Sequence, residues 1–161
     1  MASIEKVYIK NFKSYKNYTL SLNSKSRHVV LYGKNGAGKT NLLDSISYFS
    51  HSKGLRGSSL EEVLPKDGVN NEHIQTDLKI QSLGNIYNFS YKIIMEDNKL
   101  KKKFFIDDKK TSLSLIKNYL KIIWLSPYMD KIMYEGQTIK RNFIDKMIMQ
   151  NNDYFNKIIL N

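Results

Sequence analysis

Eight consecutive residues, Gly33-Lys34-Asn35-Gly36-Ala37-Gly38-Lys39-Thr40, set three glycines, a lysine and a hydroxyl at the spacing GxxxxGK[ST]. Glycines let backbone N–H groups converge on a polyphosphate without side-chain obstruction. In that chemistry Lys39 places its ammonium between the β and γ phosphates of a nucleoside triphosphate, and the Thr40 hydroxyl ligates Mg²⁺. A helix starting here adds unpaired amides and its positive dipole end. Lys34, Asn35 and Ala37 line the loop. The competing reading is a fortuitous glycine turn, and the flanking elements decide between the two.

The run His28-Val29-Val30-Leu31-Tyr32 reads as a fully buried strand leading into the loop. Leu42, Leu43, Ile46 and Phe49 recur at helical spacing after it. Strand, loop and helix is the order the motif requires. Upstream, Val7 and Ile9, then Tyr18, Leu20 and Leu22, alternate with polar residues, which predicts two antiparallel strands joined through 11–17. Gly54 and Gly57 open a loop, a short helix is expected over 60–64, and 65–71 is a turn-rich connection.

A β-meander is expected over about 72–110. Ile74, Thr76, Leu78 and Ile80 alternate, as do Tyr87, Phe89, Tyr91, Ile93 and Met95, with turns at Gly84-Asn85, Glu96-Asp97-Asn98 and Asp107-Asp108. The aromatic stripe at 87–91 is read as core packing. A helix is expected over 111–119, a second buried strand over 120–125 stopped by Ser126-Pro127, and a helix over 137–149 with Ile139, Phe143 and Met147 on one face. Asn151-Asn152-Asp153 interrupts that helix, and Tyr154, Phe155, Ile158 and Ile159 begin another amphipathic turn.

At 161 residues with 41% apolar side chains, the chain is sized for one domain or one piece of a larger one. It contains no cysteine, which excludes a disulfide framework and thiolate metal sites. His28, His51 and His73 lack ligand spacing. No run approaches the roughly 20 apolar residues of a membrane span, so a cytoplasmic protein with no membrane partner is expected. The net charge of +11 favours polyanionic partners. The same richness in Lys, Asn, Ile and Tyr is the usage of proteins encoded by AT-rich genes, and charge alone does not decide.

Hydrolysis would also need a carboxylate at the end of a buried strand to hold Mg²⁺. The strand expected at 120–125 runs into Ser126. Phe104-Phe105-Ile106-Asp107-Asp108 has the hydrophobic-then-acid order, but only three apolar residues precede the acids and lysines flank both sides, so it is read as a hairpin strand and its turn. A phosphate clamp is present without a catalytic half.

Ile9-Lys10-Asn11-Phe12-Lys13-Ser14-Tyr15, the loop with Thr40-Asn41-Leu42-Leu43-Asp44-Ser45-Ile46, and Gly54-Leu55-Arg56 resemble the N-terminal half of an ABC-type head of the SMC, Rad50 and RecF superfamily. Trp124-Leu125-Ser126-Pro127-Tyr128-Met129-Asp130, Glu135-Gly136 and Lys140-Arg141-Asn142-Phe143-Ile144-Asp145 resemble the RecF branch, and no heptad run is present. Asn142 stands where that branch is usually arginine-rich. The fold class implied is α/β, a P-loop NTPase head with a mixed sheet and an antiparallel meander, its Walker A core at about 1–64 and 120–150. The resemblance puts the signature motif, Walker B and the acidic base in a C-terminal half, so 1–161 is expected to be an N-terminal fragment that binds ATP without hydrolysing it.

The resemblance further implies a DNA repair and recombination ATPase that dimerises around ATP and Mg²⁺. It would clamp DNA through backbone and shape, help load recombinase at gaps alongside recombination mediator proteins, and serve replication and the SOS response. Phe12, Lys13 and Tyr15 would lie near the nucleotide, and Arg56 near the dimer or DNA face. Lys101, Lys102 and Lys103, with Lys109 and Lys110, are candidates for a salt-sensitive DNA patch, as are Lys140 and Arg141. The open alternatives are another SMC-like head, a solvated lysine face, and a nucleotide-binding module that acts only on proteins.

Overall fold

The computed structural model describes residues 3–23, 28–50, 54–65, 73–82, 84–125 and 136–151. Expectations for 126–135 and 152–161, including Ser126-Pro127, lie outside the described residues. Six strands form one sheet in the order β2-β1-β3-β4-β5-β6, antiparallel at every pairing. They are β1 (Ser3–Phe12), β2 (Tyr15–Ser21), β3 (Ile74–Ser82), β4 (Asn85–Glu96), β5 (Lys99–Ile106) and β6 (Lys109–Thr111). Alternation decides which face is buried: Val7, Ile9, Leu78, Ile80, Phe89, Tyr91, Ile93 and Phe104 all point to one side.

The hairpins close more tightly than their composition suggests. Phe12 pairs with Tyr15, so only Lys13 and Ser14 turn the first one. The β4–β5 and β5–β6 turns use Asp97-Asn98 and Asp107-Asp108, all four at positive φ between 46° and 62°. These are the backbone angles of the two-residue turn whose twist matches paired strands, and Asp and Asn tolerate them. Thr111 pairs with Phe104 in β6, so α2 begins later than expected, at Leu113–Lys117, with the Ser112 side chain accepting from Leu115 N–H.

Helix α1 (Lys39–Ser47) lies on the buried face. Leu42 and Phe49 point inward as expected, whereas Leu43 is exposed and the polar Asp44, Ser45 and Ser47 are buried. Ser45 and Ser47 Oγ donate to the Leu42 and Asp44 carbonyls at 2.8 and 2.6 Å. Thr76 Oγ1 donates to Tyr91 Oη (2.9 Å), and Tyr91 Oη donates to the Ser45 carbonyl (3.0 Å), stitching β3 and β4 to α1. Tyr48, just past the helix, meets Phe12 and Tyr91, and Phe49 packs edge-on against Tyr91. A 3-10 turn at Glu61–Val63 buries Val63, and α3 spans Gln137–Asn151.

Two expectations are corrected. Residues 28–32 and 120–125 are not strands: Val30 is 81% exposed, Tyr32 92% and Leu125 77%. Leu31, Leu120 and Ile122 still pack against the core. An apolar run becomes a central strand only when strands flank it on both sides. Among the described residues every strand pairs within the antiparallel series, and none pairs with these runs. β1 pairs directly with β3, so one sheet runs from the N-terminal hairpin into the meander.

Candidate nucleotide site

The glycine loop lies in the open between residue 32 and α1. Gly36 and Gly38 adopt φ of 83° and 91°, the left-handed region that L side chains rarely enter. Gly38 caps α1 with no side-chain bond, and the helix's first hydrogen bond runs from Leu42 N–H to the Gly38 carbonyl (3.0 Å). The amides of 39–41 therefore have no acceptor within the helix, and its first turn carries no acid that would repel an anion. Lys39 Nζ donates to the Gly33 and Lys34 carbonyls at 2.8 and 2.7 Å, which holds the ammonium over the loop. Asn35 to Asn41 and Arg56 line a depression of about 320 Å³.

The turn of the first hairpin grips α1 at three points. Tyr15 Oη donates to the Gly38 carbonyl (3.3 Å), Asn41 Nδ2 donates to Ser14 Oγ (2.9 Å), and Lys13 Nζ meets Asp44 Oδ2 at 2.6 Å. Residues 38, 41 and 44 recur every three positions, so they lie along one side of the helix. Burial, with Tyr18 adding to it, raises the Tyr15 pKa, so the hydroxyl stays a neutral donor. A Cβ on Gly38 would sit 2.9 Å from that hydroxyl, a second reason for glycine there.

Asp44 is fully buried. Its carboxylate also accepts from Ser47 Oγ (3.4 Å) and Arg56 N–H (3.4 Å), which ties the 54–58 loop to the helix. Gly54 closes that loop at φ 77°, where a Cβ would lie 2.3 Å from the Tyr48 ring and 2.8 Å from Asp44 Oδ1. The Arg56 side chain is exposed at the rim of the depression. A larger cleft of about 650 Å³ adjoins it, sharing Asn41 and Arg56 and adding Lys13, Ser14, Lys16, Ser58 and Glu62.

These contacts sort the expected site residues. Lys34 to Thr40 and Arg56 come together. Lys13 is committed to Asp44, on the helix flank beside the loop. Phe12 is fully buried edge-on against Tyr48, so it supports the site through the core and does not line it. Asp44 as the partner of Lys13 was not legible, because 31 residues separate them.

The lysine cluster does not form a single patch. Strand alternation turns Lys102 to the buried face, where its ammonium donates to the Tyr48 carbonyl (2.9 Å) between the rings of Tyr48 and Phe104. Burial pushes its pKa down to about 8. It supplies a cation at the C-terminal end of α1, whose own last turn has none. Lys101 pairs with Asp97 (2.8 Å) and Glu96 (3.7 Å), and Lys103 bonds Glu96 directly, which lowers the Glu96 pKa. On α3, Lys140 is half-buried and Arg141 is exposed, 3.9 Å from Asp145. Residues 104–108 are the β5 strand and its turn, as expected.

A glycine loop opening a helix that docks on a sheet defines an α/β nucleotide-binding protein of the P-loop class. The chain belongs to the RecF/RecN/SMC N-terminal domain family, whose model matches residues 3–129. It is 34% identical over 157 residues to the DNA replication and repair protein RecF of Leptospira biflexa, covering 98% of this chain and 41% of that one. A solved structure of the recombination mediator protein RecF of the RecFOR pathway superposes with a TM-score of 0.79 at 22% identity, over 98% of this chain and 41% of that one. A structure from work on ATP-driven dimerization and DNA-stimulated activation of SMC ATPases gives 0.64 at 19% identity, over 89% and 98%. These two likenesses carry the fold, an ABC/SMC-type head. The chain spans about two fifths of the length of the RecF relatives it matches.

Proposed function

We propose that this chain is the phosphate-clamping part of an ATP-dependent DNA-binding protein of RecF type, acting in repair and recombination at DNA gaps. The observation that carries the reading is Lys39 held over an open glycine loop at the free N-terminus of α1, in a member of this family.

The residues fit the group. The loop amides and those of 39–41 would hold the phosphates, Lys39 would exchange two carbonyl acceptors for phosphate oxygens, and the Thr40 hydroxyl would ligate Mg²⁺. The adjoining cleft has room for the nucleoside. Bound Mg-ATP supplies the phosphoryl chemistry, and these side chains bind and orient it. Among the described residues no carboxylate lines the depression, and the expectation for 1–161 is ATP binding without turnover. The signature motif completing the site would come from the partner in an ATP-dependent homodimer, with recombination mediator proteins as further partners. Among the described residues no helix is long and apolar enough to cross a membrane.

The test is nucleotide titration of Lys39→Ala. Losing a charge-assisted contact of about 1.5–3 kcal/mol should weaken ATP binding roughly tenfold to hundredfold while the fold stays intact. Unchanged affinity would remove the site assignment. DNA titration by the full-length protein, with and without ATP and Mg²⁺ at two salt concentrations, tests the second half of the reading. Absence of binding at both salts would leave a module acting only on proteins.

A further inference from the structure

The sheet has a second face that α1 does not cover. Register places Lys10 beside Gln75, Gln75 beside Lys92 and Lys92 beside Lys103, in one row across β1, β3, β4 and β5. Another row sets Lys6 directly opposite Lys79. Each row thus opposes two lysines, Lys92 to Lys103 and Lys6 to Lys79. Like charges directly opposite in a sheet destabilise it by a few tenths to about 1 kcal/mol. Glu5 and Glu96 each answer one member of these pairs, Lys79 and Lys103, and the register adds Lys6 and Lys92 as further cations on the same face.

The acids on this side are engaged. Glu96 holds Lys101 and Lys103, Glu5 holds Lys79 at 3.1 Å, and Asp77 accepts two bonds from Gln75 Nε2 at 2.8 Å. Burial raises the Asp77 pKa, and the Gln75 hydrogen bonds act against that rise. Between the lysine rows lies a row running from Tyr8 through Asp77 and Ser90 to Phe105. Lys92 sits 5.4 Å over the Phe105 ring.

From this arrangement we propose that the outer sheet face binds a nucleic-acid backbone. The inference rests on the DNA reading above and gives it a surface. With strands about 4.8 Å apart, β1 to β5 spans roughly 14 Å, and Lys6 to Lys10 about as much along the strand. The lysines therefore form a two-dimensional array, which fits phosphates on a winding backbone. An acidic peptide in extended form adds to a sheet edge, and these residues are on a face. The rings of Tyr8 and Phe105 between the cations suit sugars and bases. Nothing on this face reads base edges, so contacts are to phosphate and sugar.

The experiment uses the full-length protein with fluorescent 30-nucleotide single-stranded and duplex DNA, and polyglutamate as an acidic-peptide probe. Lys92→Gln/Lys103→Gln is compared with Lys109→Gln/Lys121→Gln, which removes the same charge from outside this face. The first pair should weaken DNA binding about tenfold at low salt and flatten the salt dependence by about two phosphate contacts, with ATP affinity unchanged. The two DNA probes show which form the face prefers. Equal loss in both pairs overturns the proposed surface and leaves the DNA reading standing. No DNA binding by the wild type removes that reading as well. Loss of polyglutamate binding with DNA binding retained makes the face a peptide site and also overturns the proposal.

Discussion

The meander and the run before the glycine loop are both rich in apolar side chains, and they behave oppositely. In β4, Phe89, Tyr91 and Ile93 are buried, whereas Val30 and Tyr32 stand almost fully in solvent. Meander strands find their neighbours a two-residue turn away, so alternation and turn chemistry are enough to place them. The run at 28–32 has no neighbour within reach of a short turn. Hydrophobicity buries a segment only where a surface exists to receive it.

Substitutions can break this contrast. Phe89→Ala removes a ring from the middle of the meander core and should cost about 3–5 kcal/mol in denaturant unfolding. A cost below 1 kcal/mol would mean that the sheet is not the stabilising unit. Asp44→Ala comes next, because it strands the Lys13 ammonium at a largely buried site. We expect about 3 kcal/mol, with Asp44→Asn recovering part of the packing but not the charge pairing.

Lys102→Met gives a smaller, pH-dependent effect. Burial lowers the folded-state pKa from 10.5 to about 8, so between those values the unfolded chain binds the extra proton. The contribution of Lys102 to stability therefore rises from about pH 8 to about 10.5, and below pH 8 the full cost of burying the charge is present. Subtracting the variant's stability profile from the wild type's should expose a rise on the order of 1–3 kcal/mol across that window. A flat difference would contradict the buried placement. Tyr32→Ser should move unfolding by no more than about 0.5 kcal/mol. A large loss in the full-length protein would show that other parts of the molecule cover the run.

The loop, its helix, and the alternation of β1, β3 and β4 were legible in residue types and short spacings. A role could be proposed for Lys39 because the motif is contiguous. Phe12 could not, since a ring beside a turn reads the same whether it faces a ligand or the Tyr48 ring. Lys101 to Lys103 look like one basic patch in a linear chain, and only pleating shows that Lys102 faces the core.

By itself, the order of residues determined the glycine loop, the turns at Asp97-Asn98 and Asp107-Asp108 and the period-two strands, because each depends on neighbours a few positions apart. The tertiary structure alone decided that the Lys13-Ser14-Tyr15 turn grips the loop's helix, that Asp44 answers Lys13, and that lysines from three strands line one outer row. Those pairings join residues tens of positions apart, and distance along a chain carries no information about distance in space until the sheet has chosen its register.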